Sequence, residues 1–352
     1  MDVITLLAAV ASMILLHEFG HFVACRIFDI DVEEFGIGFP PKARRLFTWK
    51  GTEFTINWLI FGGFVRPKGE GDPSIEGGLA AAPPAQRFAV YFAGPLMNLL
   101  IAVVLYAASF SQTGMPAFDK VVVQSVAPNS PAAQAGIQPG DRLVRIDDQP
   151  VTDMTSVHTL VAPHVGETVE VTVEREGSEY TFTVLARSNP PTGEGAMGIV
   201  MTNPIQPIST WRALPYGATA VVNQTYMLLT LPVQISRGLV APEDARLVGY
   251  KGMYDMYKAV QEAESTPQAQ PGINTLSFFA MISASLGILN LLPIPAVDGG
   301  RILFLLPELI FRRRIPPRVE TAVNSISFIL LLLLLLYINL QDFINPATFN
   351  FR

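Results

Sequence analysis

The sequence predicts a polytopic α-helical membrane protein with about four transmembrane helices, a membrane-associated β-hairpin and an inserted extracytoplasmic α/β domain. Three observations carry that expectation. Half of the 352 residues are hydrophobic and only 15% are charged, against roughly one quarter charged in soluble domains. Four stretches are apolar over about 20 residues, the length that crosses a bilayer. Between the second and the third, the pattern changes to short alternating runs separated by turn residues, as in a compact α/β module.

The first span, residues 3–28, contains His17-Glu18-Phe19-Gly20-His21. On a helix His17 and His21 share one face, as two zinc ligands must, and Glu18 follows where a general base is needed. Three such side chains in an apolar segment are costly unless they serve a function. Cys25, the single cysteine, excludes an intrachain disulfide and a C-x-x-C zinc knuckle. It stands eight residues from His17, about 12 Å along a helix, which fits packing better than ligation. The segment starts Met1-Asp2, without a basic n-region or a small-residue cleavage signature. It is therefore expected to remain as a membrane helix.

Next comes a loop with basic residues from Lys42 to Arg87. Within it, residues 46–49 and 52–58 read as two strands around Lys50-Gly51, continuing into apolar, glycine-rich Phe61-Gly62-Gly63-Phe64-Val65. Gly36-Ile37-Gly38-Phe39-Pro40 precedes them. Aromatic residues at this density beside a membrane point to a hairpin dipping into the bilayer, and residues 46–58 offer an edge for strand pairing. Residues 69–84, rich in Gly, Pro and Ala, read as a flexible connector. The second span, 88–110, opens with Ala93-Gly94-Pro95-Leu96-Met97-Asn98. This marks either a kink with an interfacial polar group, or a close approach to the first span with Asn98 facing the active cavity.

Strand-like runs at 121–123, 166–173 and 179–185 flank Ser130-Pro131-Ala132-Ala133-Gln134-Ala135-Gly136. There Ser130 reads as an N-cap and Gly136 as a helix stop. The order resembles a bacterial PDZ domain, which implies a groove that binds peptide ends or strands. His158 and His164 read as surface or groove residues of this module. Residues 188–274 form a linker in which 216–235, interrupted by Asn223, Gln224 and Pro232, is an amphipathic or interfacial helix or else a span. The domain boundaries expected are thus 1–112, 118–187, 188–274 and 275–352.

The third span, 276 to about 311, is broken by Pro293 and Pro295 in the run Asn290-Leu291-Leu292-Pro293-Ile294-Pro295-Ala296-Val297-Asp298-Gly299-Gly300. Asp298 is an acid within a membrane segment and needs a partner. Two histidines and one carboxylate suit catalytic zinc and leave a fourth position open. The last span, 322–340, holds seven consecutive leucines. Basic residues concentrate in the first and last short loops, which places those loops in the cytoplasm and both termini and the central domain outside.

H-E-F-G-H, the glycine-rich hairpin, A-G-P-x-x-N and N-x-x-P-x-P-x-x-D-G-G, in that order, resemble the site-2 protease family, and within it the bacterial regulator-of-sigma-E protease type. The resemblance covers nearly the whole chain. It implies an intramembrane zinc metalloprotease of the bacterial inner membrane that cuts transmembrane segments or signal-peptide remnants. By it His17, His21 and Asp298 match the zinc ligands, Glu18 the catalytic acid/base and Asn290 a residue engaging substrate. Asn98, Gly36, Gly38, Pro293 and Pro295 are further candidates for substrate contact. The family usually has L-D-G where this chain has Val297-Asp298-Gly299, and often two PDZ domains where one is found here. The partners implied are a transmembrane protein substrate, the bilayer and peptide segments at the PDZ groove. The mild net charge of −6 gives no reason to expect nucleic acid. A membrane-anchored PDZ scaffold with an inactive protease body is the rival. A zinc transporter is a weaker one, because the leucine-rich last span offers no polar path.

Overall fold

The computed structural model describes residues 2–241, 246–265 and 274–346. Parts of the 188–274 linker and the last six residues lie outside these. In chain order the elements are α1 (Asp2–Ile27), β1 (Val32–Trp49), β2 (Thr52–Pro67), α2 (Pro84–Thr113), β3 (Met115–Pro116), β4 (Val121–Val126), α3 (Pro131–Ala135), β5 (Arg142–Ile146), β6 (Gln149–Pro150), α4 (Met154–Val161), β7 (Thr168–Arg175), β8 (Ser178–Leu185), β9 (Ile199–Thr202), β10 (Ile205–Gln206), α5 (Thr210–Ser236), α6 (Tyr250–Glu264), α7 (Thr275–Leu291), α8 (Asp298–Phe311) and α9 (Pro317–Ile344). They form two compact units, Met1–Gln112 with Ser209–Arg352, and Thr113–Ile208.

Among the described residues, three helices are long and apolar enough to cross a membrane: Val3–Ile27, Pro84–Thr113 and Arg318–Ile344. The third expected span, 276 to about 311, is divided. Pro293 and Pro295 lack amide donors and end α7 after 17 residues. The chain then turns through Ala296, whose φ of 80° lies in the left-handed region, and restarts as α8 at Asp298. Asn324 of α9 holds this turn by accepting the Ala296 N–H at 3.2 Å. Gly299 sits so close to the carbonyls of Leu291 and Leu292 that a Cβ there would overlap them. The stretch expected at 216–235 is one continuous helix, α5. Its Gln224 donates to the Met281 carbonyl and to Ser285 Oγ of α7, both at 2.9 Å.

Strands β1 and β2 meet at Lys50-Gly51, both with positive φ (47° and 82°), the backbone a two-residue primed turn requires. Each long strand then folds back on itself. Residues 34–37 pair with 63–66 on one side and with 53–56 on the other, and 42–49 pair with 52–57. The lateral order is thus 63–67, 32–37, 52–57, 42–49. The segment 46–58 therefore does not supply the edge near the histidines; that edge is 63–67, and 42–49 lies at the far one. The connector 69–84 is also not loose. Leu79 and Ala80 are buried, with Leu79 in the cluster of Phe22, Cys25 and Tyr91, and the Leu79 N–H donates to the Lys68 carbonyl at 2.8 Å. Burying the leucine contributes about 1.5–3 kcal/mol to docking the loop, and Arg314 adds a hydrogen bond to the Ala80 carbonyl at 2.8 Å.

The second unit is a sheet in the order β8-β7-β5-β4-β9, with β6 beside β5. Ser130 caps α3 by accepting the Ala133 N–H, and Gly136 ends it at φ 97°. Strand β9, which pairs with β4, extends this unit past the boundary at 187 expected from the sequence. Its short run, Ile199-Val200-Met201-Thr202, carries too little pattern to be recognised alone.

Candidate metal centre

His17 and His21 project from one face of α1, and both are buried. Asp298 opens α8 opposite them. Its Oδ2 lies 3.0 Å from His17 Nε2 and 3.4 Å from His21 Nε2, and the two Nε2 atoms are 3.2 Å apart. Zinc bonds of about 2.0–2.1 Å in tetrahedral geometry put neighbouring donors about 3.3–3.4 Å apart. The observed triangle matches one face of such a tetrahedron. Two imidazoles and one carboxylate also make a donor set that zinc accepts while leaving a fourth position open. Among the described residues, these three form the one group of His, Cys, Asp or Glu placed to hold a metal ion. Cys25 is wholly buried in the neighbouring apolar cluster and takes no part.

Helix α2 supports the histidines from behind. Residues 90, 94 and 98 are spaced by four and share a face. The Val90 carbonyl accepts from His21 Nδ1 at 2.7 Å, and Asn98 Nδ2 is 3.3 Å from His17 Nδ1. Between them, a Cβ on Gly94 would overlap His21 Nε2 and come within 2.8 Å of His17 Nε2. On α1, Gly20 packs directly on the Ala93 carbonyl. Small residues at the crossing thus let two helices approach closely enough for one to orient the imidazoles of the other.

Glu18 turns towards the sheet edge, and its Oε2 accepts the Val65 N–H at 3.0 Å. The three candidate ligands and Glu18 open into one cavity of about 340 Å³, walled also by Phe64, Val65, Tyr91, Asn290 and Arg301. Arg301 stacks over Tyr91 at 5.6 Å and pairs with Glu70 of the docked connector. Of the residues expected to contact substrate, Asn290 is the one that lines this cavity, while its Nδ2 donates to Leu286 O. Asn98 lies behind His17 instead. Pro293 and Pro295 form the break between α7 and α8. Gly36 and Gly38 lie within β1, where the Gly38 carbonyl accepts from Asn57. The Val65 amide and the Val90 carbonyl escape sequence reading because backbone groups carry no residue signature. Gly94 stands openly in the A-G-P motif.

The model of peptidase family M50 matches residues 5–334. This chain belongs to peptidase family M50, the site-2 protease family. A Clostridium perfringens protein is 34% identical over 98% of this chain and 99% of its own length. One from Clostridium acetobutylicum is 29% identical over 99% of both. One from Campylobacter jejuni is 31% identical over 95% of this chain and 90% of its own. Each bears the name "Putative zinc metalloprotease". Zinc is accordingly the cofactor of this M50 protein, and the donor triangle of His17, His21 and Asp298 suits it.

Proposed function

We propose that this protein is an intramembrane zinc endopeptidase of the bacterial inner membrane, of the regulator-of-sigma-E protease type. On this reading it hydrolyses peptide bonds within the transmembrane segments of single-span proteins, anti-sigma factors or signal-peptide remnants among them. One observation carries it: a zinc-shaped donor triangle and an adjacent glutamate borne by largely apolar helices. His17, His21 and Asp298 hold the metal. Zinc, when bound, acidifies water and polarises a carbonyl. Glu18 is the proton acceptor and later the donor to the leaving amine. The Val65 N–H fixes one of its carboxylate oxygens and leaves the other for proton transfer. Asn290, on the cavity wall, holds the substrate backbone.

A helix hides its amides in internal hydrogen bonds, so the scissile segment must be extended before attack. The 63–67 strand borders both Glu18 and the cavity, and as the outer strand of the sheet there it is where the extended segment pairs, beyond the Val65 N–H that Glu18 holds. The short basic loops face the cytoplasm, and the Thr113–Ile208 unit lies outside, where it serves as a PDZ domain. In support, a groove of about 280 Å³ runs between α4 and the sheet-edge strand β9. It is lined by Val157, Val161, Met197 and Ile199, suited to an apolar peptide end.

The test is Glu18→Gln in the full chain purified in detergent. Zinc content should stay at one per chain while cleavage of a single-span reporter disappears. Wild-type turnover by this variant would overturn the reading, and a wild-type protein that takes up no zinc would favour a PDZ scaffold.

A further inference from the structure

Asn98 is an amide buried in an otherwise apolar helix, at 1% exposure, and it is misassorted with its neighbour. Its Nδ2, a donor, faces His17 Nδ1, while its Oδ1 is buried without a hydrogen-bond partner. His17 Nε2 belongs to the donor triangle, so it must be unprotonated to ligate. The neutral ring then carries its proton on Nδ1. That proton meets an NH₂ group, while an acceptor stands unused on the same side chain. The two ends of an amide have nearly the same shape, and a half-turn exchanges them.

We infer that Asn98 is a positioning residue for the metal: turned over, its Oδ1 accepts the His17 Nδ1–H and fixes the ring with Nε2 towards zinc. The inference rests on His17 being a ligand. Its neighbour provides the parallel, because His21 Nδ1 already has an acceptor on the same helix, the Val90 carbonyl at 2.7 Å. Val90 and Asn98 thus supply one acceptor for each imidazole, two helical turns apart on α2, with Gly94 clearing space between them. The Asn98 backbone is itself held, because its carbonyl accepts from Ser283 Oγ of α7 at 2.8 Å. This reading places Asn98 behind the ligand and away from the substrate.

An acceptor role and a donor role separate cleanly by substitution. Asn98→Asp keeps an acceptor of the same size and loses the donor, while Asn98→Leu loses both at similar volume. In full-chain protein in detergent, zinc affinity is read by competition with a chromophoric chelator, without substrate. Asn98→Leu should bind zinc about 10- to 100-fold more weakly, and Asn98→Asp should bind it as the wild type does or more tightly. Cobalt-loaded Asn98→Leu should also show an altered visible spectrum that Asn98→Asp restores. Wild-type affinity in Asn98→Leu overturns the inference. If that variant does not fold, a loss of zinc by folded Asn98→Asp overturns it equally. A wild-type chain that binds no zinc would instead defeat the ligand assignment on which it rests.

Discussion

Gly94→Ala tests how closely α2 must approach the histidines. Ordinary carbon contacts begin near about 3.5 Å. The added Cβ would overlap His21 Nε2 and stand 2.6 Å from His21 Cε1 and 2.8 Å from His17 Nε2, so the His21 ring must withdraw by more than about 0.9 Å and the His17 ring by about 0.7 Å. Metal–ligand distances tolerate only about 0.2 Å, so the donor triangle does not survive that movement intact. A retreat of α2 would instead open the close packing of Gly20 on the Ala93 carbonyl. Alanine favours the helix by about 0.8–1 kcal/mol over glycine, whereas overpacking costs about 1–3 kcal/mol. The zinc-free protein should therefore lose no more than about 2 kcal/mol. Zinc affinity should fall by at least the roughly 10–100-fold that follows loss of an outer-shell partner. Chelator competition measures the second quantity and thermal unfolding of the metal-free chain the first. Gly71→Ala is the control, since a Cβ there meets nothing within 4 Å. Zinc binding at wild-type strength in Gly94→Ala would refute the close-approach argument.

Two further outcomes follow from particular contacts. Val65→Pro removes the N–H that holds Glu18 Oε2 and disturbs the 63–67 edge. Reporter cleavage should drop about 100-fold, the low end of what a general base contributes, if Glu18 has the proposed role, with zinc content unchanged; lost zinc would mean that the strand supports the candidate ligands instead. In the second unit, burial alone would raise the Asp141 carboxyl. Arg175, donating from Nε and Nη2 at 2.6 and 2.8 Å, and the Gln138 N–H at 2.8 Å outweigh it and hold the group below the ordinary carboxylate range. A depressed folded-state pKa stabilises fully above the unfolded value near about 4, and the contribution is lost as pH falls through the folded value. Hydrogen exchange of β7 and β8 amides should accelerate in that window, and Asp141→Asn should flatten the dependence. An unchanged acid profile in Asp141→Asn would assign the effect to another group.

What the sequence made legible was local or strongly periodic. The i, i+4 histidines, the Lys50-Gly51 turn, the Ser130 cap and the proline break before Asp298 each depend on a few neighbouring residues, and each lies where expected. The features that escaped depend on distant partners. The 69–84 connector reads as loose because Gly and Pro dominate it, yet Leu79 finds a pocket beside Phe22. The order of the curled sheet turns on both halves of β2 flanking residues 34–37, and alternation alone does not reveal that. Helix α6 is not apparent from the sequence. Its N-terminus is held from α9, where buried Asp342 accepts the Gly249 and Gly252 N–H groups at 2.7 and 3.0 Å and pairs with Arg246 at 2.6 Å.

The same contrast explains why the candidate ligands were easier to find than their supports. A ligand must be a particular side chain, so its chemistry is written in the sequence. A support need only present an acceptor or leave a space, and a carbonyl or a glycine does this without distinctive lettering. Asn98 is the intermediate case. An amide inside an apolar helix costs about 1–3 kcal/mol if it goes unsatisfied, so a position needing only packing would be served by leucine. Its presence in α2, one helical turn beyond Gly94 and against His17, indicates that its polarity is used. The three positions on α2 therefore act together, since Val90 and Asn98 orient the two imidazoles and Gly94 lets the helix come near enough for both to reach.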